Sequence, residues 1–139
     1  MIPVTFHKEV VLMKKNILLF EDDKLFCKKI ATYFSNFNFK IFLKKTDQKI
    51  VDFIKRKKIE MVIISMELDK TYYLCKKIRK IFDLSIIILS NKKNLSLTLK
   101  YFEIGVDDYI AKPIRLNEFL AIIKSKFNQE KRWNEESKK

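Results

Sequence analysis

The chain has 139 residues, 47% hydrophobic and 13% aromatic, which predicts one domain with a substantial core and excludes a largely disordered chain. Thirty Lys and Arg against 17 Asp and Glu leave a net charge of +13, but 26 of the basic residues are lysine and only Arg56, Arg79, Arg115 and Arg132 are arginine. Lys, Ile, Phe and Asn fill 65 positions, so the charge is taken as the background of an AT-rich coding bias rather than a nucleic-acid footprint, and only a crowding of lysines on one face would reopen the polyanion reading.

In chain order, residues 1–13 fit no pattern and are expected to be an N-terminal extension, with Met13 an alternative start. Five short β-branched or aromatic runs follow, read as strands: Ile17–Phe20, Phe39–Leu43, Met61–Ile64, Ser85–Leu89 and Tyr109–Ala111. Counted from residues 17, 39, 61, 85 and 107 they recur after 22, 22, 24 and 22 residues, room for one strand, one short helix and two tight loops. Helical spacing fills the gaps: Phe26, Ile30, Phe34 and Phe37, then Leu74, Ile78 and Phe82, and finally Leu116, Leu120, Ile123 and Phe127. The fourth connection sends two signals. Leu95, Leu97 and Leu99 alternate with polar residues as in a strand, whereas Gly105 suits a helix C-terminus, and a helix is predicted. The domain is placed at residues 14–128, followed by a charged tail, 129–139, with a lone Trp133. Strands alternating with helices predict an α/β fold, a parallel sheet covered on both faces.

In such a sheet, ligands bind beyond the carboxyl ends of the strands. The residues there are Glu21, Asp22 and Asp23 after the first strand, and Ser65, with Glu67 and Asp69 beyond it, after the third. Ser90 and Asn91 close the fourth strand, and Lys112 precedes Pro113 after the fifth. One acid at a helix start is explained by capping and the helix dipole, but three in succession point to a divalent cation or a phosphoryl group. Other chemistries lack their residues. Cys27 and Cys75 have no CxxC spacing and read as core residues, and His7 is the only histidine, so zinc and Cys-His catalysis are not expected. With Gly105 alone, neither GxGxxG nor a P-loop can be written, and no base–nucleophile pair exists beyond this edge, so the chain is not expected to be an enzyme.

The blocks NILLFEDD, IIILS and GVDDYIAKP resemble the signature of the response-regulator receiver domain of two-component signalling, over about residues 15–127. The aromatic three residues before Lys112–Pro113 is the most specific match, and Ser90 stands 22 residues before Lys112, as the family's Ser/Thr stands before its Lys. The resemblance implies a flavodoxin-like (βα)5 three-layer sandwich with a parallel sheet of order 2-1-3-4-5 and a cytoplasmic location. It implies that Glu21 and Asp22 form an acidic pocket holding Mg²⁺, that Ser90 and Tyr109 are the switch residues, that Lys112 contacts the phosphoryl oxygens, and that the bond before Pro113 is cis.

One block departs from the family. Its phosphoacceptor aspartate ends the third strand in stretches resembling DLVLLD, whereas EMVIIS here puts Ser65 in that place, and the loop MELDKTYY lacks the usual Pro and Asp-Gly. A hydroxyl is neutral at pH 7 and a poorer acceptor than a carboxylate, and two acids hold a divalent ion more weakly than three. Glu67 stands roughly 6–7 Å further along the strand direction, one step past the pocket. The expected function is therefore that of a pseudo-receiver, which signals by contact with a histidine kinase or effector without aspartyl phosphorylation and in which Lys112 pairs directly with Glu21 and Asp22. Two alternatives are a single-domain regulator phosphorylated through Glu67 or Asp69, and the dimerisation part of a DNA-binding transcription regulator. The latter would pair through the face of the fourth helix, fifth strand and fifth helix, with Asp107 and Asp108 in ion pairs between subunits and Arg115 or helix lysines as their partners. Neither a membrane nor nucleic acid is an expected partner of this chain alone.

Overall fold

Strand and helix alternate as the spacing predicts: β1 (Lys15–Phe20), α1 (Lys24–Ser35), β2 (Phe39–Lys44), α2 (Ile50–Arg56), β3 (Met61–Ile64), α3 (Thr71–Ile81), β4 (Ser85–Ser90), α4 (Leu95–Glu103), β5 (Asp108–Ala111) and α5 (Leu116–Ser137). The computed structural model describes residues 14–66, 71–92 and 94–137, with side chains through residue 129; the predicted extension 1–13, Glu67, Asp69 and the side chain of Trp133 lie outside them. The five strands form one parallel sheet in the order β2-β1-β3-β4-β5, as the resemblance implied.

Period-two alternation divides each strand between two cores. Leu18, Phe20, Val62, Ile64, Ile86 and Ile88 meet Ile54 of α2, Ile78 of α3 and Tyr101 of α4. Ile17, Leu19, Met61, Ile63, Ile87 and Leu89 face the other way, against Ile30 and Phe34 of α1 and Phe119 and Ile123 of α5. The central strands are apolar on both faces because both are covered. Cys27 and Cys75 are buried free thiols, and desolvation pushes that of Cys75 up to about 12, which fits the core role read from the sequence.

The ambiguous fourth connection is a helix. Asn94 caps it, its Oδ1 accepting the Leu97 amide at 3.1 Å, and Gly105 follows its end at φ +97°. A Cβ at Gly105 would be strained at this φ and would stand 3.0 Å from the Arg79 side chain, which would have to shift while its Nε donates to the Gly105 carbonyl. The leucine alternation that imitates a strand separates faces: Leu97 and Tyr101, four apart, pack against the core, while Leu95 and Leu99 project into solvent. At the other end, α5 continues through the charged tail to Ser137, a stretch free of Gly and Pro and rich in Glu, Lys and Arg.

Candidate functional site

The carboxyl ends of β1, β3 and β5 bring Glu21, Ser65 and Lys112 together. Ser65 is fixed by its own backbone, its amide donating to the Phe20 carbonyl at 2.8 Å. Its hydroxyl donates to Glu21 Oε1 at 2.9 Å. Lys112 Nζ donates to the same oxygen at 3.2 Å and to the Ser65 carbonyl at 2.7 Å, and it lies 5.5 Å from the Phe26 ring. The second Glu21 oxygen accepts the amides of Asp22 and Asp23 at 2.9 and 3.3 Å. Glu21 is only 3% exposed, and its charge is met by one cation and three further donors. The peptide bond between Lys112 and Pro113 is cis, as the resemblance implied.

The other two acids differ from Glu21. Asp22 is exposed, and Asp23 caps α1, its Oδ1 accepting the amides of Leu25 and Phe26 at 3.0 and 3.1 Å. Capping therefore accounts for one of the three successive acids. The donors do not suit the Mg²⁺ that the resemblance implies at Glu21 and Asp22. Both Glu21 oxygens already accept hydrogen bonds, an ammonium stands beside the carboxylate, and no group of three potential His, Cys, Asp or Glu ligands is found among the described residues.

Ser90 and Tyr109 line the same cavity as the Glu21 cluster, with their hydroxyls turned to the next loop. The Ser90 hydroxyl accepts the Lys92 amide at 3.1 Å, and the Tyr109 hydroxyl donates to the Lys92 carbonyl at 3.3 Å. Both predicted switch residues thus hold the turn after β4 rather than the Glu21 cluster. The shared cavity, of about 890 Å³, opens above these groups, lined by Asp22, Phe26, Ser65, Tyr72, Tyr109 and Lys112 among others.

Among the described residues, the predicted dimer-face acids have ion-pair partners within the chain and the Arg115 side chain has none. Asp107 accepts Arg79 Nη2 and the Ile86 amide, each at 2.7 Å, and Asp108 pairs with Lys126 at 3.3 Å, while Arg115 is exposed. Sequence reasoning missed Arg79, which also donates to the carbonyls of Phe82, Leu84 and Gly105 and so ties α3 to the start of β4 and to the turn before β5. The signal available was its rarity, one arginine among few on an otherwise lysine-rich helix.

Comparison with known proteins agrees with this geometry. The chain is similar to Regulatory protein VanR of Enterococcus faecium, 29% identical over 124 residues that cover 88% of this chain and 54% of that protein. It is similar to Response regulator protein GraR of Staphylococcus aureus at 26% identity over 125 residues, 88% of this chain and 56% of that protein. The chain thus spans about half the length of these curated relatives. Among solved structures, a two-component response regulator from Clostridium difficile superposes with a TM-score of 0.76 at 24% identity, covering 84% of this chain and 98% of that one. The BeF3-activated N-terminal receiver domain of Klebsiella pneumoniae RstA gives 0.71 at 22% identity, covering 79% and 96%; at these identities the two structures speak for the fold alone. The family model for the response regulator receiver domain matches residues 17–124, and with that match the chain belongs to the receiver domains of two-component response regulators.

Proposed function

We propose that this receiver domain is a pseudo-receiver, signalling by contact with a histidine kinase or effector protein in the cytoplasm without aspartyl phosphorylation. The observation that carries the reading is the Glu21–Ser65–Lys112 cluster: a hydroxyl stands at the end of β3, and the lysine neutralises the buried acid directly. Aspartyl phosphorylation needs a carboxylate oxygen as nucleophile, and the serine hydroxyl in its place is neutral and a poorer one. The carboxylate next to it, Glu21, is already bonded to an ammonium, so among the described residues the edge offers a hard ion the exposed Asp22 in place of three converging acids. Ser90, Tyr109 and Lys112 then serve to shape the output face. Incubation with acetyl phosphate and Mg²⁺ should leave the intact mass unchanged; a stoichiometric gain of about 80 Da, stable to acid and labile to base, overturns the reading.

A second reading is favoured by the outer face of α4. Leu95, Leu99 and Phe102 are 74, 53 and 42% exposed, and they lie on one helical stripe. That stripe supports self-association through the α4–β5–α5 face, as expected of the receiver part of a DNA-binding regulator. Arg115 is the predicted ion-pair residue left exposed for a partner subunit, since Asp107 and Asp108 are already paired within the chain. Sedimentation velocity at increasing concentration should show a dimer that Leu99→Asp shifts to monomer by tenfold or more in Kd, a charge in an apolar contact costing over about 1.4 kcal/mol. A monomer at all concentrations counts against this reading.

A further inference from the structure

The lysine surplus is not spread evenly. Residues 39–60, which form the edge strand β2, helix α2 and their flanks, carry eight Lys and Arg against three acids. Four of those cations surround one aromatic pair. Lys40 and Lys57 place their ammonium groups 5.0 and 5.8 Å from the centre of the Phe42 ring. Lys44 Nζ and the Arg56 guanidinium carbon lie 4.9 and 5.9 Å from the Phe53 ring, and the two rings meet edge to face at 6.1 Å. Of the four, Arg56 alone has a carboxylate within ion-pair reach among the described residues: Asp52 at 3.8 Å, both side chains well exposed, a weak and screened pair. Lys40, Arg56 and Lys57 are exposed, and Lys44 is half-buried.

We infer that this β2–α2 face binds nucleic acid through its phosphate backbone, without reading the bases. Like charges held this close repel one another, and a polyanion relieves the repulsion by releasing its own counterions. The charged ends of the cations stand over Phe42 and Phe53, so protein groups already occupy the ring faces that would otherwise stack on bases. Arg56 rests on Phe53, and the three lysines act as point charges, which suit a phosphate better than the forked edge of guanine. Lys40 and Lys44 stand on one side of an extended strand, about 13 Å apart at the usual rise, the span of about four phosphates along one DNA strand. An acidic protein segment would need an apolar socket between the charges to anchor it, and here the covered rings occupy that place.

The test uses the whole chain and a 20-base-pair duplex of mixed sequence, with binding followed by fluorescence anisotropy from 50 to 200 mM NaCl. Four neutralised phosphates give a slope of log K against log salt of about −3.6, a loss of about 150-fold over that range. Lys40→Gln/Lys44→Gln should flatten the slope by about 1.8 and weaken binding at 50 mM at least tenfold. The control, Lys76→Gln/Lys100→Gln, removes two lysines that sit over Tyr72 on α3 and α4 and alters net charge equally; it should stay within about twofold of the parent. Circular dichroism verifies that both variants are folded. Equal losses in the two variants mean net charge alone and overturn the inference, as does no binding at 50 mM. Polyglutamate competing as well as the duplex reassigns the face to acidic proteins, and tighter binding to phosphatidylserine vesicles reassigns it to membranes; either result overturns it too.

Discussion

Ser65→Asp should make this chain accept a phosphoryl group from acetyl phosphate, where the parent chain does not. The substituted position is held rigidly: the residue 65 amide is bonded to the Phe20 carbonyl, and its side chain is aimed at Glu21 Oε1 from 2.9 Å. A carboxylate there faces a second carboxylate with only Lys112 to neutralise both. Without a divalent cation, that repulsion at an effective dielectric near 20 should lower the unfolding free energy by about 1–3 kcal/mol, part of it offset by the lysine. Millimolar Mg²⁺ should recover the loss, because three acids, Glu21, Asp22 and residue 65, then converge on one edge. The chemistry balances simply: a carboxylate oxygen attacks phosphorus, the bond to the acetate oxygen breaks, and acetate departs. The expected readings are a base-labile gain of about 80 Da in the variant and a Tm that responds to Mg²⁺ in the variant alone. A variant that stays unlabelled, with unfolding indifferent to Mg²⁺, sinks the idea that one side chain separates this site from a phosphotransfer site.

Much of this site could be read before any fold was seen, because its parts sit at strand ends whose positions follow from hydrophobic period. The 22-residue recurrence sets the strands, and the strands set which of the polar residues share an edge, so Glu21, Ser65 and Lys112 were grouped correctly. The destination of each hydrogen bond was less visible. Asp22 and Asp23 look alike in sequence and both are exposed, yet only Asp23 caps α1, a division decided by the local turn of the chain. Ser90 and Tyr109 line the same cavity as the acidic edge, yet their hydroxyls bond to Lys92, a main-chain partner that no side-chain motif announces. Asp107 and Asp108 also pair within the fold, with Arg79 and Lys126 far off in sequence. Such pairings join distant residues and carry no periodic trace. The lysines were read as background for a similar reason: a count of charges contains no positions, and only the approach of β2 to α2 puts four of them around two rings.

Lys112→Met should be the most destabilising single change at the site, and the reason is the acid it leaves behind. Glu21 is 3% exposed, whereas the Lys112 side chain is 27% exposed, so removing the lysine strands a buried carboxylate, while removing the acid leaves an ammonium that can turn to water. Loss of one partner from a fully buried pair costs about 3–5 kcal/mol, and the partial exposure of Lys112 brings the expected cost down to about 2–3 kcal/mol. The methionine keeps most of the apolar stem near Phe26, so the change reports on charge more than on packing. Glu21→Gln alone should cost about 1 kcal/mol, since the amide oxygen still accepts from the Asp22 and Asp23 backbone and its NH2 can donate to the Ser65 hydroxyl, while the lysine loses its partner and keeps only the Ser65 carbonyl. The double variant Glu21→Gln/Lys112→Met should then be more stable than Lys112→Met alone, with a coupling energy of about 1–2 kcal/mol in the mutant cycle. Urea unfolding with an unchanged m-value is the measurement, because a change in m would mean a different denatured or native state rather than a lost pair. Additive single effects would show that Lys112 acts through its bond to the Ser65 carbonyl instead, bracing β5 against β3 without compensating the acid. Strong coupling would identify the pair as the element that replaces a bound cation, and it would explain how one polar edge stays neutral and closed at the point where three parallel strands end.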